Sequence, residues 1–107
     1  MQTVDFTVYS ADWVESGIYG KAGYGFVVDL AMPEITNNVI QNGMVSLYMK
    51  TGESWTPVPL QYYNEGFQGS YFYKMSHGVF SIEYYESDQL TLRPGTQDFR
   101  LVIIQPN

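Results

Sequence analysis

The one histidine, His77, is the only imidazole around which a Ser-His-Asp or related nucleophilic arrangement could be assembled. It lies in Ser76-His77-Gly78, where the glycine suits a tight turn between two alternating stretches. A turn tip offers no walls to enclose a nucleophile, and no His-x-x-x-His spacing supplies a metal pair. The absence of cysteine removes thiol nucleophiles, disulfides and Cys-ligated zinc. Glu83, Glu86 and Asp88 cluster near the end of the second stretch, and hard oxygen ligands of that kind bind calcium. The Asp-x-Asp-x-Asp-Gly loop that would strengthen a calcium site is missing, and the plainer reading is a solvated face that keeps a sheet edge soluble. With 11 acidic residues, some pair at glycosidase spacing arises by chance and assigns nothing. The run Gly17-Ile18-Tyr19-Gly20-Lys21-Ala22-Gly23-Tyr24-Gly25 precedes a strand instead of opening a helix, so it is read as a flexible loop and not a phosphate cradle. No catalytic residue and no cofactor are assigned.

Aromatic side chains are the richer signal. They make up 17% of the chain, with 10 Tyr, 6 Phe and 2 Trp. If Val4, Phe6 and Val8, then Val45, Leu47 and Met49, then Phe80, Ile82 and Tyr84 face a core, strand alternation turns Tyr9, Tyr48 and Tyr85 outward. Outward tyrosines present flat apolar faces with a polar rim, which stack on sugar rings or anchor a protein partner. Tyr9, Tyr48 and Tyr85, joined by Trp13, are therefore the candidate ligand platform. The plain alternative is that tyrosine is a good strand former that pairs across strands.

These residues need a scaffold, and the dominant period along the chain is two. Thr3–Tyr9, Tyr24–Met32, Met44–Thr51, Phe67–Met75, Val79–Glu86 and Asp98–Gln105 read as strands. The near-continuous apolar run Phe99 to Ile104 points to a central strand covered on both faces. Trp55–Tyr63 carries Pro57 and Pro59, which cannot donate to a ladder, so it is an edge strand or an extended crossing, with Trp55 as a lid over the core edge. Residues 10–23 are expected to be a loop anchored by Trp13 and Ile18. One helix is expected over 36–42, with Thr36 as N-cap, Ile35 and Ile40 as a hydrophobic staple, and Gly43 in the left-handed position after its end. The sum is an all-β fold: one domain spanning 1–107, an antiparallel β-sandwich of about seven strands with one short helix.

Composition narrows the partners. A hydrophobic share of 45% against 15% charged excludes disorder. A net charge of −6 leaves no basic face for nucleic acid, and no apolar run approaches the ~20 residues of a membrane-spanning helix. No charged and apolar leader precedes Val4, so a signal segment is not expected within this chain, and a cytoplasmic location stays open. Sparse lysine and abundant Tyr, Thr, Ser, Asn and Gly favour an exported β-protein.

The block Pro33-Glu34-Ile35-Thr36-Asn37-Asn38-Val39-Ile40-Gln41-Asn42-Gly43-Met44-Val45-Ser46-Leu47-Tyr48, followed by Trp55-Thr56-Pro57-Val58-Pro59 and closing on Phe99-Arg100-Leu101-Val102-Ile103-Ile104, resembles segments of small exported proteins of Bacteroides-type bacteria. The resemblance implies a β-sandwich that is periplasmic or lipid-anchored, with no activity and no functional residue to transfer. The expected function is a non-catalytic interaction or assembly module of an exported protein, binding a protein partner or copies of itself. The alternative is a small carbohydrate-binding domain using the outward tyrosines.

Overall fold

Among the described residues, alternation of apolar and polar residues is realised as nine strands: β1 (Gln2–Val8), β2 (Val14–Ser16), β3 (Gly25–Ala31), β4 (Met44–Thr51), β5 (Ser54–Val58), β6 (Leu60–Asn64), β7 (Phe67–Ser76), β8 (Val79–Glu86) and β9 (Gln97–Ile104). One short helix, α1 (Asn37–Asn42), lies between β3 and β4. The computed structural model describes residues 1–106. The strands form a four-stranded sheet in the order β1-β9-β4-β5 and a five-stranded sheet in the order β2-β3-β8-β7-β6, antiparallel throughout.

The two sheets face each other across an apolar core. Phe80, Phe99, Leu101, Ile82 and Ile103 are fully enclosed. Along β4, β7, β8 and β9 side chains on one face are the more deeply buried while their sequence neighbours point to solvent, as period two requires. The expected all-β sandwich is therefore the fold, with two more strands than anticipated. One is β2, a three-residue strand inside the expected loop. The other arises because Trp55–Tyr63 is not one strand: β5 closes an edge of the first sheet, and the chain crosses at Pro59 to form β6 at an edge of the second. Hairpin β7–β8 closes over His77 and Gly78.

β9 is central, between β1 and β4, but it is covered on one face only. Phe99, Leu101 and Ile103 are buried, whereas Arg100 and Val102 on the outer face are half-buried and Ile104 is exposed. Its apolar run is longer than its buried row needs.

α1 begins as expected, with the Val39 amide donating to the Thr36 hydroxyl at 3.2 Å. Its packing differs from the staple. Ile35 and Val39 are buried, while Ile40 is 36% exposed. Gly43 ends the helix in extended backbone (φ −97°), not in the left-handed region. Close approach explains the glycine instead, because a Cβ there would lie 2.6 Å from the Ile104 carbonyl and 3.0 Å from that of Val39.

Residues 87–96 cross one end of the molecule without regular structure and are tied down by polar contacts. The buried Thr91 hydroxyl accepts from the Glu86 amide and donates to the Tyr24 carbonyl at 3.0 Å. The Arg93 guanidinium donates to the carbonyls of Ser10 and Trp13 and stacks 5.0 Å from the centre of the Phe26 ring.

Candidate functional site

The outer face of the four-stranded sheet collects the side chains that alternation turns away from the core. Its register aligns Asp5 with Arg100, Arg100 with Tyr48, and Tyr48 with Pro57, one row across all four strands. In the adjacent row Thr7 faces Asp98, and Lys50 faces Trp55. Arg100 grips Asp5 through two parallel hydrogen bonds, Nε to Oδ1 at 2.8 Å and Nη2 to Oδ2 at 2.9 Å, the bidentate pairing that guanidinium geometry favours. Its guanidinium carbon also lies 4.3 Å from the centre of the Trp55 ring. The hydrogen bond from Arg100 holds the Asp5 carboxyl below the usual range, so it is ionised at neutral pH.

Between the two rows runs a groove of about 250 Å³, bordered by Asp5, Thr7, Asp98, Lys50 and Trp55 and floored by the strands at Phe6 and Phe99. The Thr7 hydroxyl donates to Asp98 Oδ1 at 2.6 Å, which fixes that carboxylate at the rim. The volume falls short of the ~300–1,000 Å³ typical of drug-sized ligand sites, so it suits one ring or one short side chain of a larger ligand. Two carboxylates and the Thr7 oxygen supply acceptors, Lys50 supplies the donor, and the indole supplies an apolar wall.

The candidate platform is not assembled. Trp13 is 1% exposed and packs edge-on against Tyr71 in the core, so it touches no ligand face. Its indole instead anchors residues 10–23 to the core, as the loop reading expected, whereas Ile18, the other expected anchor, is exposed. Tyr48 stands half-buried on the outer face of the four-stranded sheet, next to the groove. Tyr9 is exposed just past the end of β1. Tyr85 points out of the other sheet. It lies over Gly25, its hydroxyl donates to Glu83 at 2.6 Å, and burial together with that bond pushes its phenol up to about 12. Tyr48 and Tyr85 thus occupy opposite sides of the sandwich.

The calcium trio does not converge either. Glu83 faces outward beside Lys74, at 3.6 Å. Glu86, three residues on, faces inward and is buried, where it accepts from the Tyr84 hydroxyl at 2.6 Å and from the Leu92 amide at 3.1 Å. Tyr84 spends its only proton on Glu86, so the Tyr62 hydroxyl is the donor in the Tyr62–Tyr84 bond. Burial, reinforced by these bonds, holds the Tyr84 phenol far above its ordinary range. Asp88 caps the Leu90 amide in the following turn. Among the described residues no three His, Asp or Glu side chains gather as a metal site. His77 is exposed at the tip of the β7–β8 hairpin.

Trp55 is the residue that sequence reasoning placed on the wrong side. It is an outward neighbour of the groove and not a lid over the core. The signal was available: Val58 is buried, and alternation from Val58 through Thr56 puts Trp55 and Pro57 on the other face. Asp5, Thr7, Asp98 and Arg100 carry no motif of their own, and only strand order brings them together. No family model, curated protein or solved structure matches the chain.

Proposed function

We propose that the chain is a non-catalytic interaction module that recognises a saccharide through the outer face of its four-stranded sheet. The observation that supports this most strongly is the groove walled by Trp55 and ringed by Asp5, Thr7, Asp98 and Lys50. A sugar ring has hydroxyl groups around its edge and C–H groups on its faces, and this site offers acceptors and donors around one apolar wall. An anionic ligand is disfavoured by the two carboxylates and by the net charge of −6. The reading keeps the expectation of a binding module, and moves the ligand surface from the dispersed tyrosines to Trp55 with Tyr48 beside it. Export belongs to the same proposal, supported by the lysine-poor, tyrosine-rich composition and by the resemblance to small exported β-sandwich proteins.

Affinity electrophoresis in gels cast with soluble polysaccharides tests the reading. The expected result is retardation in at least one gel, lost in Asp98→Ala. Free migration across a broad polysaccharide set, or retardation that survives Asp98→Ala, contradicts it.

A further inference from the structure

Of the four sheet edges, β5 carries Pro57, β6 is five residues long and starts directly after Pro59, and β2 is three residues long. Short edges and prolines are the usual means of keeping an edge from pairing with another chain. β1 has none of these guards. It runs seven residues in unbroken register with β9, from Gln2 opposite Ile103 to Val8 opposite Gln97, with no Pro, Gly, Lys or bulge. Its single charge, Asp5, is bound laterally to Arg100. Its core-facing Val4 and Phe6 are only partly buried, although the residues opposite them on β9, Leu101 and Phe99, are fully buried.

We infer that β1 pairs with β1 of a second copy of this chain, antiparallel about a two-fold axis normal to the sheet, to give one continuous eight-stranded face. An extended strand in register pairs the whole row of backbone donors and acceptors on an open edge. The alternation in β1, with apolar Val4, Phe6 and Val8 between polar Thr3, Asp5 and Thr7, is unchanged by reversal, so an antiparallel copy that sets even positions opposite even positions keeps both core-facing rows on the core side. A two-fold contact uses the same patch on both partners and needs no separate complementary surface. Charge excludes the register centred on Asp5. Placing Asp5 opposite Asp5 of the second copy sets like charges face to face, whereas placing Val4 opposite Val4 sets Asp5 against Thr3 and Phe6 against Gln2. The second register is the one inferred. Because Asp5 and Thr7 border the groove from β1, the pairing sets two grooves on one surface, on either side of the axis.

Analytical ultracentrifugation over a concentration series tests this independently of any saccharide binding. The expected species is a reversible dimer of twice the 12.2 kDa chain mass. Thr3→Glu, exposed and away from the core, sets a carboxylate opposite Asp5 in both halves and should weaken the dimer about five-fold. Thr3→Lys reverses the sign at the same position and should bind as tightly or more tightly. A second readout uses the chain's lack of cysteine: Val4→Cys should form an inter-chain disulfide under mild oxidation, and Ser54→Cys on the β5 edge should not. A monomer up to millimolar concentration, a dimer indifferent to both Thr3 variants, or equal cross-linking at Val4 and Ser54 overturns the proposal.

Discussion

The two outer faces of the sandwich are built from similar side chains and end up with different surfaces. On the five-stranded face Tyr85 lies over Gly25 and donates to Glu83, Lys74 pairs with Glu83, and the Ser81 hydroxyl donates to Asp29. These polar groups are used by neighbours, and the Tyr85 ring fills the gap left by the missing side chain at Gly25. On the four-stranded face Arg100 draws Asp5 and Trp55 together, and the space beside them stays open as the groove. Aromatic and charged content alone therefore does not mark a binding face. What separates the two is whether the side chains fill the space between them or leave it open.

That comparison can be broken from the inside first. Trp13→Ala removes a fully buried side chain and should cost about 3–5 kcal/mol, measured by urea unfolding. A loss below about 1 kcal/mol would return Trp13 to the surface and to the ligand platform. Next, Gly25→Val drives a Cβ into the Tyr85 ring and to 2.5 Å from the Tyr84 carbonyl, so it should cost about 1–3 kcal/mol. It should leave the groove untouched, and a neutral melt would show that the Tyr85 ring does not rest on Gly25.

A pH titration sharpens the same contrast. The folded Tyr85 phenol sits at about 12 against an ordinary value of 10, so folding favours its neutral form. Its contribution to stability is complete below pH 10 and is lost as the pH rises to about 12. Tyr85→Phe should therefore flatten the alkaline limb of a stability–pH curve, and an unchanged limb would contradict the burial of that hydroxyl. The smallest expected effect on stability is that of Trp55→Ala. It removes an outward indole and its cation–π contact, worth about 0.5–1 kcal/mol at a partly exposed site. A loss of several kcal/mol would make Trp55 part of the core after all.

Much of the fold was legible because period two is a local signal. β1, β4, β7, β8 and β9 fall within a residue or two of their expected bounds, and the inward rows Val45-Leu47-Met49 and Phe80-Ile82-Tyr84 are the observed ones. β2 escaped because three residues between a turn and a glycine-rich loop show no periodicity. The separation of Glu83 from Glu86 was legible and was missed: residues three apart on a strand face opposite ways. The groove was not legible. Asp5 and Asp98 stand over 90 positions apart in sequence, and only the order β1-β9-β4-β5 sets them beside Lys50 and Trp55. Strand order depends on how the whole core closes, which no local pattern encodes. Trp13 was read both as a loop anchor, which it is, and as part of the platform, which it is not, since an isolated aromatic in a loop-like segment carries no alternation to show which way it points.

The most direct test of the contrast between the faces is a glycan array probed in parallel with the wild-type chain, Trp55→Ala and Tyr85→Ala. The account predicts saturable binding by the wild type that is lost in Trp55→Ala and retained in Tyr85→Ala. Binding lost in Tyr85→Ala and kept in Trp55→Ala would place the ligand on the five-stranded face, and a blank array for the wild type would contradict the saccharide reading itself.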